Sequence, residues 1–354
     1  MFAIYDRITA KQLYYQIVMS MVGIFLVFLP GYQSLYGWQG VVCCLGGFVV
    51  WFLYGFFLVR ISSHYGHLEK VLGRFGKTVY SVWMILFFLF SGAFLTSLIY
   101  GVKGTYFEPD AEPPLIHGTI LLACTMAGLP QIQRRGRMAE VSFPILAGAL
   151  ILLLALSFGQ QAVQEDTFFT YLRQNQPLEA IGIWSGIYIL FAVSTGLWGL
   201  PFLLHQVKGN RLKSMAGAYG TLLAVLAFVL LLLQGSYGTR QVLMREWPIV
   251  SLMGGIRIPG GFVFRIDPVW IGILLLLLLF SVGSTLFYTN YIAKTMQVHW
   301  KWFWTPAVVY ILSLIPTPWG TVKDYFDELL LFVFCPVIVL FHVIIGVRGM
   351  KYRS

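Results

Sequence analysis

Charge is scarce in this sequence. Only 11% of its 354 residues are Asp, Glu, Lys or Arg, and 58% are hydrophobic. Soluble domains carry about 25% charged residues. So few charges cannot coat a water-facing surface, which excludes a soluble globular protein and makes this an integral membrane chain. Acids are scarcer still. There are 14, and each falls in a predicted loop or at the end of an apolar run. A carboxylate within the membrane is costly and is kept for function. Its absence leaves no Asp or Glu for a proton relay, and His342 is the one ionisable side chain expected within a span. Cysteine is rare too. Cys43, Cys44, Cys124 and Cys335 all sit in apolar stretches, without metal spacing or a disulfide framework. They read as small buried side chains. No Ser-His-Asp set, HExxH helix, glycine-rich phosphate loop or carboxylate pair is present. An enzyme is therefore not expected, nor a cofactor. His117, His205 and Glu140 are isolated candidates for interfacial chemistry, with no visible partner.

What the chain has is long apolar runs. A span takes roughly 20 mostly apolar residues. Ten segments qualify, at about 12–30, 39–59, 79–101, 114–131, 141–158, 184–206, 214–234, 269–292, 302–317 and 329–347. The first lacks a small-x-small cleavage site and reads as a span rather than a signal peptide. With the N-terminus in the cytoplasm, 17 of the 24 Lys and Arg residues fall inside and 7 outside. That bias predicts ten spans with both termini cytoplasmic. It also accounts for the net charge of +10 without a nucleic-acid partner.

Two runs contain residues that interrupt helices. The sixth reads LFAVSTGLWGLPFLL over 190–204, with Ser194, Thr195 and Gly196 followed by Gly199 and Pro201. In lipid, unpaired backbone groups are expensive, so a helix breaks only where protein or a wet cavity takes up the freed groups. Pro201 removes a donor and Gly196 turns at little steric cost. The freed groups, with the two hydroxyls, suit a small polar solute. The first run, SMVGIFLVFLPG from Ser20 to Gly31, has Gly23 near its middle and Pro30 at its end. Spans one and six are equivalent if the ten form two halves of five. Discontinuous helices at matching positions mark the midplane site of many transporters. The expectation is an all-α membrane fold of the LeuT-like kind. It has two inverted five-helix repeats, about 12–158 and 184–347, in one permease-like domain over 1–354, with helices 1 and 6 discontinuous. Ser281, Ser284, Thr285 and Tyr288 share one side of span eight. Span three offers Ser91, Thr96, Ser97 and Tyr100. The candidate binding residues are Ser20, Gly23, Thr96, Ser194, Thr195, Gly196, Ser281 and Ser284. Hydroxyls and glycines also serve as packing and glue between membrane helices.

Four stretches carry a family resemblance. They are ITAKQLYYQIVMSMVGIFLVFLPG from Ile8, HLEKVLGRFGKTVYSVW from His67, RRGRMAEVSFPIL from Arg134, and EWPIVSLMGGIRIPGGFVFRID from Glu246. In these the chain resembles the B-subunit family of spore germinant receptors (GerB), permease-like proteins of the amino acid–polyamine–organocation superfamily. The closing Phe262, Arg265 and Asp267 look like that family's signature. Met253, Gly254 and Gly255 before Arg257 depart from it. The resemblance implies a receptor that binds a nutrient germinant, typically an amino acid, and triggers germination. It further implies larger A-type and lipoprotein C-type partner subunits and a place in the spore inner membrane. The ligand role falls on Gly23 and on Ser194 to Gly196, with spans three and eight as walls. The alternative is an active amino acid permease in the cell membrane, coupled through carbonyls and hydroxyls. Accumulation of labelled amino acid in proteoliposomes separates the two.

Overall fold

Leucine, isoleucine and phenylalanine runs without interruption form helix wherever a membrane must be crossed, because only a helix satisfies its own backbone in lipid. The computed structural model describes residues 7–104, 112–161, 179–254, 267–295, 297, 301–315 and 326–351. It is mostly helical. In chain order the helices are α1 (Ala10–Val27), α2 (Gly37–Ile61), α3 (Leu68–Gly104), α4 (Pro113–Thr125), α5 (Ile132–Gln161) and α6 (Ala180–Ala192). Then come α7 (Leu200–Leu204), α8 (Arg211–Leu243), α9 (Pro248–Gly254), α10 (Asp267–Thr295), α11 (Trp304–Leu314) and, after a π-helical stretch at Phe326–Phe334, α12 (Cys335–Lys351).

Each of the ten predicted segments overlaps helix among the described residues. Crossing the membrane is a stricter condition. By length and apolarity six helical stretches qualify among the described residues, or seven if the bent pair α6–α7 is one span. One of the six, Gly37–Lys103, runs through both α2 and α3. Pro113–Gly128 and Trp304–Leu314 are apolar but short. The outward faces are apolar, with Leu45, Phe56, Leu122 and Ile181 exposed, as lipid contact requires.

α1 is the axis of the fold. Its apolar window is 89% buried, whereas that of α5 is 28% buried. It packs on α8, α10 and α5. Its start is fixed by a capping box: Gln12 N–H donates to the Thr9 hydroxyl and Thr9 N–H to the Gln12 side chain. The Gln12 amide also donates to Glu140 at 3.0 Å. A two-residue parallel pair, β1 (Ile8–Thr9) with β2 (Val207–Lys208), ties this start to the segment after α7. Inside α3 and α8 the helices kink at Gly73 (φ 75°) and Gly238 (φ 71°), conformations that disfavour any side chain.

One expectation is overturned. α1 runs unbroken through Gly23 to Val27, and only beyond it does the chain turn, at Leu29–Gly31 around Pro30. Gly23 is a close-packing residue. A Cβ there would stand 3.0 Å from the backbone N of Leu278 and 3.1 Å from the carbonyl carbon of Leu277. The glycine lets α1 and α10 touch backbone to backbone, so it does not interrupt helix 1. The signature residues Phe262 and Arg265, and Gly255 and Arg257 of the departing stretch, lie outside the described residues.

Candidate functional site

The sixth segment does break. α6 ends at Ala192, and Ser194 leaves the helical region with ψ at 52°. One 3-10 turn follows at Thr195–Leu197, then α7, and the two helices bend by 52°. Pro201 lies in the first turn of α7, where its missing N–H is no loss. The freed groups are locally recaptured. The Ser194 hydroxyl donates to the Leu190 carbonyl at 2.9 Å, and Leu197 N–H donates to the Ser194 carbonyl at 3.0 Å. The whole break is buried, with Ser194 at 0% exposure.

The break lies directly on α1. A Cβ on Gly196 would stand 2.7 Å from Ser20 Oγ, and the Ser20 hydroxyl donates to Ile17 O. From the other side comes Tyr288 of α10, on whose ring a Cβ at Gly199 would fall. Tyr288 stacks on Phe88 of α3 with ring centres 5.0 Å apart. Ser20, Ser194, Thr195 and Gly196 are thus brought together. Ser281 and Ser284 donate to Leu277 O and Phe280 O of their own helix, and Thr96 to Gly92 O of α3. They line helix contacts, with hydroxyls already engaged.

A second feature was not visible in the sequence. Trp198, inside the break, lies among Trp51 and Tyr54 of α2 and Phe191 of α6, with Tyr219 of α8 behind Trp51. Trp51 stacks on Tyr219 at 4.7 Å. The indole N–H groups of Trp51 and Trp198 and the Tyr219 hydroxyl are buried without a hydrogen-bond partner among the described residues. So is the Gln16 amide nitrogen, one turn before Ser20 on α1. A buried donor left unmet costs about 1–3 kcal/mol. Three of these donors lie in one aromatic cluster.

Beside this cluster His342 of α12 is fully buried at 0% exposure. Its Nδ1 lies 2.5 Å from the Tyr54 hydroxyl and its Nε2 3.0 Å from that of Tyr80. Tyr80 bonds in turn to Tyr65 at 2.9 Å. Tyr65 lines a cavity of about 440 Å³ with His67, Glu69, Lys70, Lys77 and Thr295. The sequence marked His342 but none of its partners, which come from separate elements.

Arg135 was also missed. It is one of the 17 cations that the orientation count places inside, yet it lies in α5 at 5% exposure and reaches across to Phe280 of α10, while Arg134 and Arg137 are exposed. The signal was there: Ile132, Arg135 and Ala139 share one buried face of a helix. No group of three or more His, Cys, Asp or Glu that could hold a metal occurs among the described residues. The interfacial candidates do not converge. His117 pairs with Ser313, His205 with Gln206, and Glu140 with Gln12.

No known family model matches the chain, and no curated protein matches it by sequence. Its fold is matched among solved structures. One is Mhp1, a nucleobase-cation-symport-1 family transporter in a closed conformation with bromovinylhydantoin bound. The likeness has a TM-score of 0.59 at 13% identity and covers 96% of this chain and 78% of Mhp1. At that identity the likeness concerns the fold. The chain is a multi-pass membrane protein with a transporter-like fold.

Proposed function

We propose that this chain binds a small solute at the helix break Ser194–Gly199 and works as the membrane subunit of a spore nutrient germinant receptor. The observation that carries the binding site is the buried, bent break laid against Ser20 of α1, with unmet donors clustered around Trp198. Broken helices at the midplane are where transporter folds place their ligands. The bromovinylhydantoin of Mhp1 is consistent with a small-molecule site in this fold. The receptor role and its A-type and C-type partners rest on the four stretches resembling the B-subunit family. Ten spans follow in this reading if α2 and α3 cross separately, α6–α7 crosses as one, and the short α4 and α11 each cross. Two inverted repeats of five then frame the site. In this reading Ser20, Ser194, Thr195 and Gly196 contact the ligand, while Gly23, Thr96, Ser281 and Ser284 support the walls. No observation favours the permease reading over the receptor.

The test is a thermal-shift screen of the purified full chain against amino acids, nucleosides and hydantoins. A ligand at 100 times its dissociation constant adds about 2.7 kcal/mol. The expected result is a shift with one chemical class, lost in Gly196→Ala, whose new methyl meets Ser20. A shift of equal size in that variant removes the break from the site. No shift with any class removes solute binding by the isolated chain. Reconstitution of a binding chain into proteoliposomes then separates receptor from permease by whether labelled ligand accumulates.

A further inference from the structure

At the end of the bundle where α2 gives way to α3 and α10 stops lies the cavity beside Tyr65, about 440 Å³ in volume. Small-molecule sites usually measure about 300–1,000 Å³. α3 fixes which way this one faces. Beyond the kink at Gly73, Lys77, Tyr80, Met84 and Phe88 recur at helical spacing, and the last three are fully buried. Phe75, Val79, Val82 and Leu86 form another stripe, and all four are exposed, Phe75 at 84%. That apolar stripe meets lipid. Lys77 stands on the inward stripe, so the cavity it lines belongs to the aqueous end of the bundle and not to the bilayer.

The charge of the cavity is unbalanced. Lys70, Lys77 and His67 line it against one carboxylate, Glu69. Lys77 donates to Glu69 at 3.3 Å, and its side chain is 25% exposed. The ion pairs found among the described residues, Lys77–Glu69 and Lys11–Glu140, leave Lys70 without an acid. The Thr295 hydroxyl already donates to Tyr291 O at 2.8 Å, so the donors that remain are cationic or imidazole. A recess lined mostly by one sign of charge concentrates ions of the other sign. Lysine offers a compact charge with three donors, which suits the several oxygens of a phosphate. A phosphate dianion takes both lysines, drawing Lys77 away from Glu69.

We propose that this cavity is a binding site for a soluble phosphate-bearing anion, held by Lys70 and Lys77 with an N–H from His67. It is separate from the break at Ser194–Gly199. Its wall, Tyr65, is bonded to Tyr80, and Tyr80 to His342, so an anion here sits at one end of the chain that reaches Tyr54. The site does not rest on the solute reading above, and its test uses no germinant.

Thermal unfolding of the purified full chain is measured in low-millimolar inorganic phosphate, with chloride and acetate at equal ionic strength as references. The wild-type midpoint should rise with the logarithm of phosphate concentration and stay level in the references, as ligand linkage requires. Lys70→Met and Lys77→Met should each weaken the apparent affinity by about tenfold or more, the loss expected of a hydrogen bond to a charged group. Arg134→Met, an exposed cation on α5, should not change it. Glu69→Gln should tighten it by about fivefold, because a competing carboxylate is gone. That arm decides even if neither lysine variant folds. No rise in phosphate, or an equal rise in acetate, would overturn the proposal. So would a rise shared in full by both lysine variants, which is salt exclusion from the surface. Dihexanoyl phosphatidic acid raising the midpoint where inorganic phosphate does not would also overturn it, since the phosphate would then belong to a lipid headgroup.

Discussion

Removing one oxygen atom, in Tyr80→Phe, tests whether the His342 network holds the bundle together. The Tyr80 hydroxyl is the middle of the chain, bonded to Tyr65 at 2.9 Å and to His342 at 3.0 Å. Its loss strips a partner from each. Both ends are buried, Tyr65 at 3% and His342 at 0% exposure. Tyr65 and the Nε2 of His342 each lose this partner, and a stranded buried group costs about 1–3 kcal/mol. Hydrogen bonds between membrane helices couple by about 0.6 kcal/mol on average and about 1.7 at most. The predicted loss for Tyr80→Phe is accordingly in the lower half of that 1–3 range, about 1–2 kcal/mol. The assay is unfolding by denaturing detergent in bicelles, run as a double-mutant cycle with His342→Leu. A coupling energy of about 0.6–1.7 kcal/mol is expected. Losses that add to within about 0.3 kcal/mol would refute the reasoning, since independent sites behave that way.

Gly23→Val should destabilise by about 1–3 kcal/mol, because its side chain meets the α10 backbone; detergent unfolding checks this. Asn290→Ala should cost about 1–3 kcal/mol, since the Asn290 amide donates to Gly128 O at 2.7 Å and to Trp302 O at 3.3 Å and its oxygen accepts from Thr305. Hydrogen exchange should show the loosening at the start of α11 and at the Met126–Gly128 turn, and an unchanged exchange pattern there would count against it. Gly199→Ala should displace Tyr288, which lies where its methyl would go, and reduce ligand binding without moving α12.

The helices were legible because lipid leaves the backbone one choice and long apolar runs announce it. The break at Ser194 was legible because adjacent hydroxyls, a glycine and Pro201 act on the same few backbone groups. Gly23 misled for a physical reason. A glycine amid apolar residues serves a turn or a close helix contact equally, and the sequence does not say which backbone lies opposite. Arg135 was hidden by the way loop charges are tallied. The positive-inside count sorts cations by place along the chain, whereas burial depends on which face of α5 they occupy. The tyrosines around His342 come from α2, the turn before α3, and α3 itself, so no spacing in the sequence joins them to α12. The number of crossings stayed open because it depends on where helices bend, which composition does not encode.

The positions that were not legible bear most on how a binding event would be felt elsewhere. Trp198 is part of the break, and its ring lies 5.7 Å from Tyr54 and 6.4 Å from His342. A solute that satisfies the Trp198 and Trp51 indoles acts on the same residues that anchor α12 through Tyr54. After the break, α7 leads straight into β2, which is paired with β1 at the start of α1. A change in the bend therefore has two mechanical outlets, one through the tyrosine–histidine chain to the Tyr65 cavity and one through β2 to α1. A ligand shifts such an equilibrium only by its difference in affinity between the bent states.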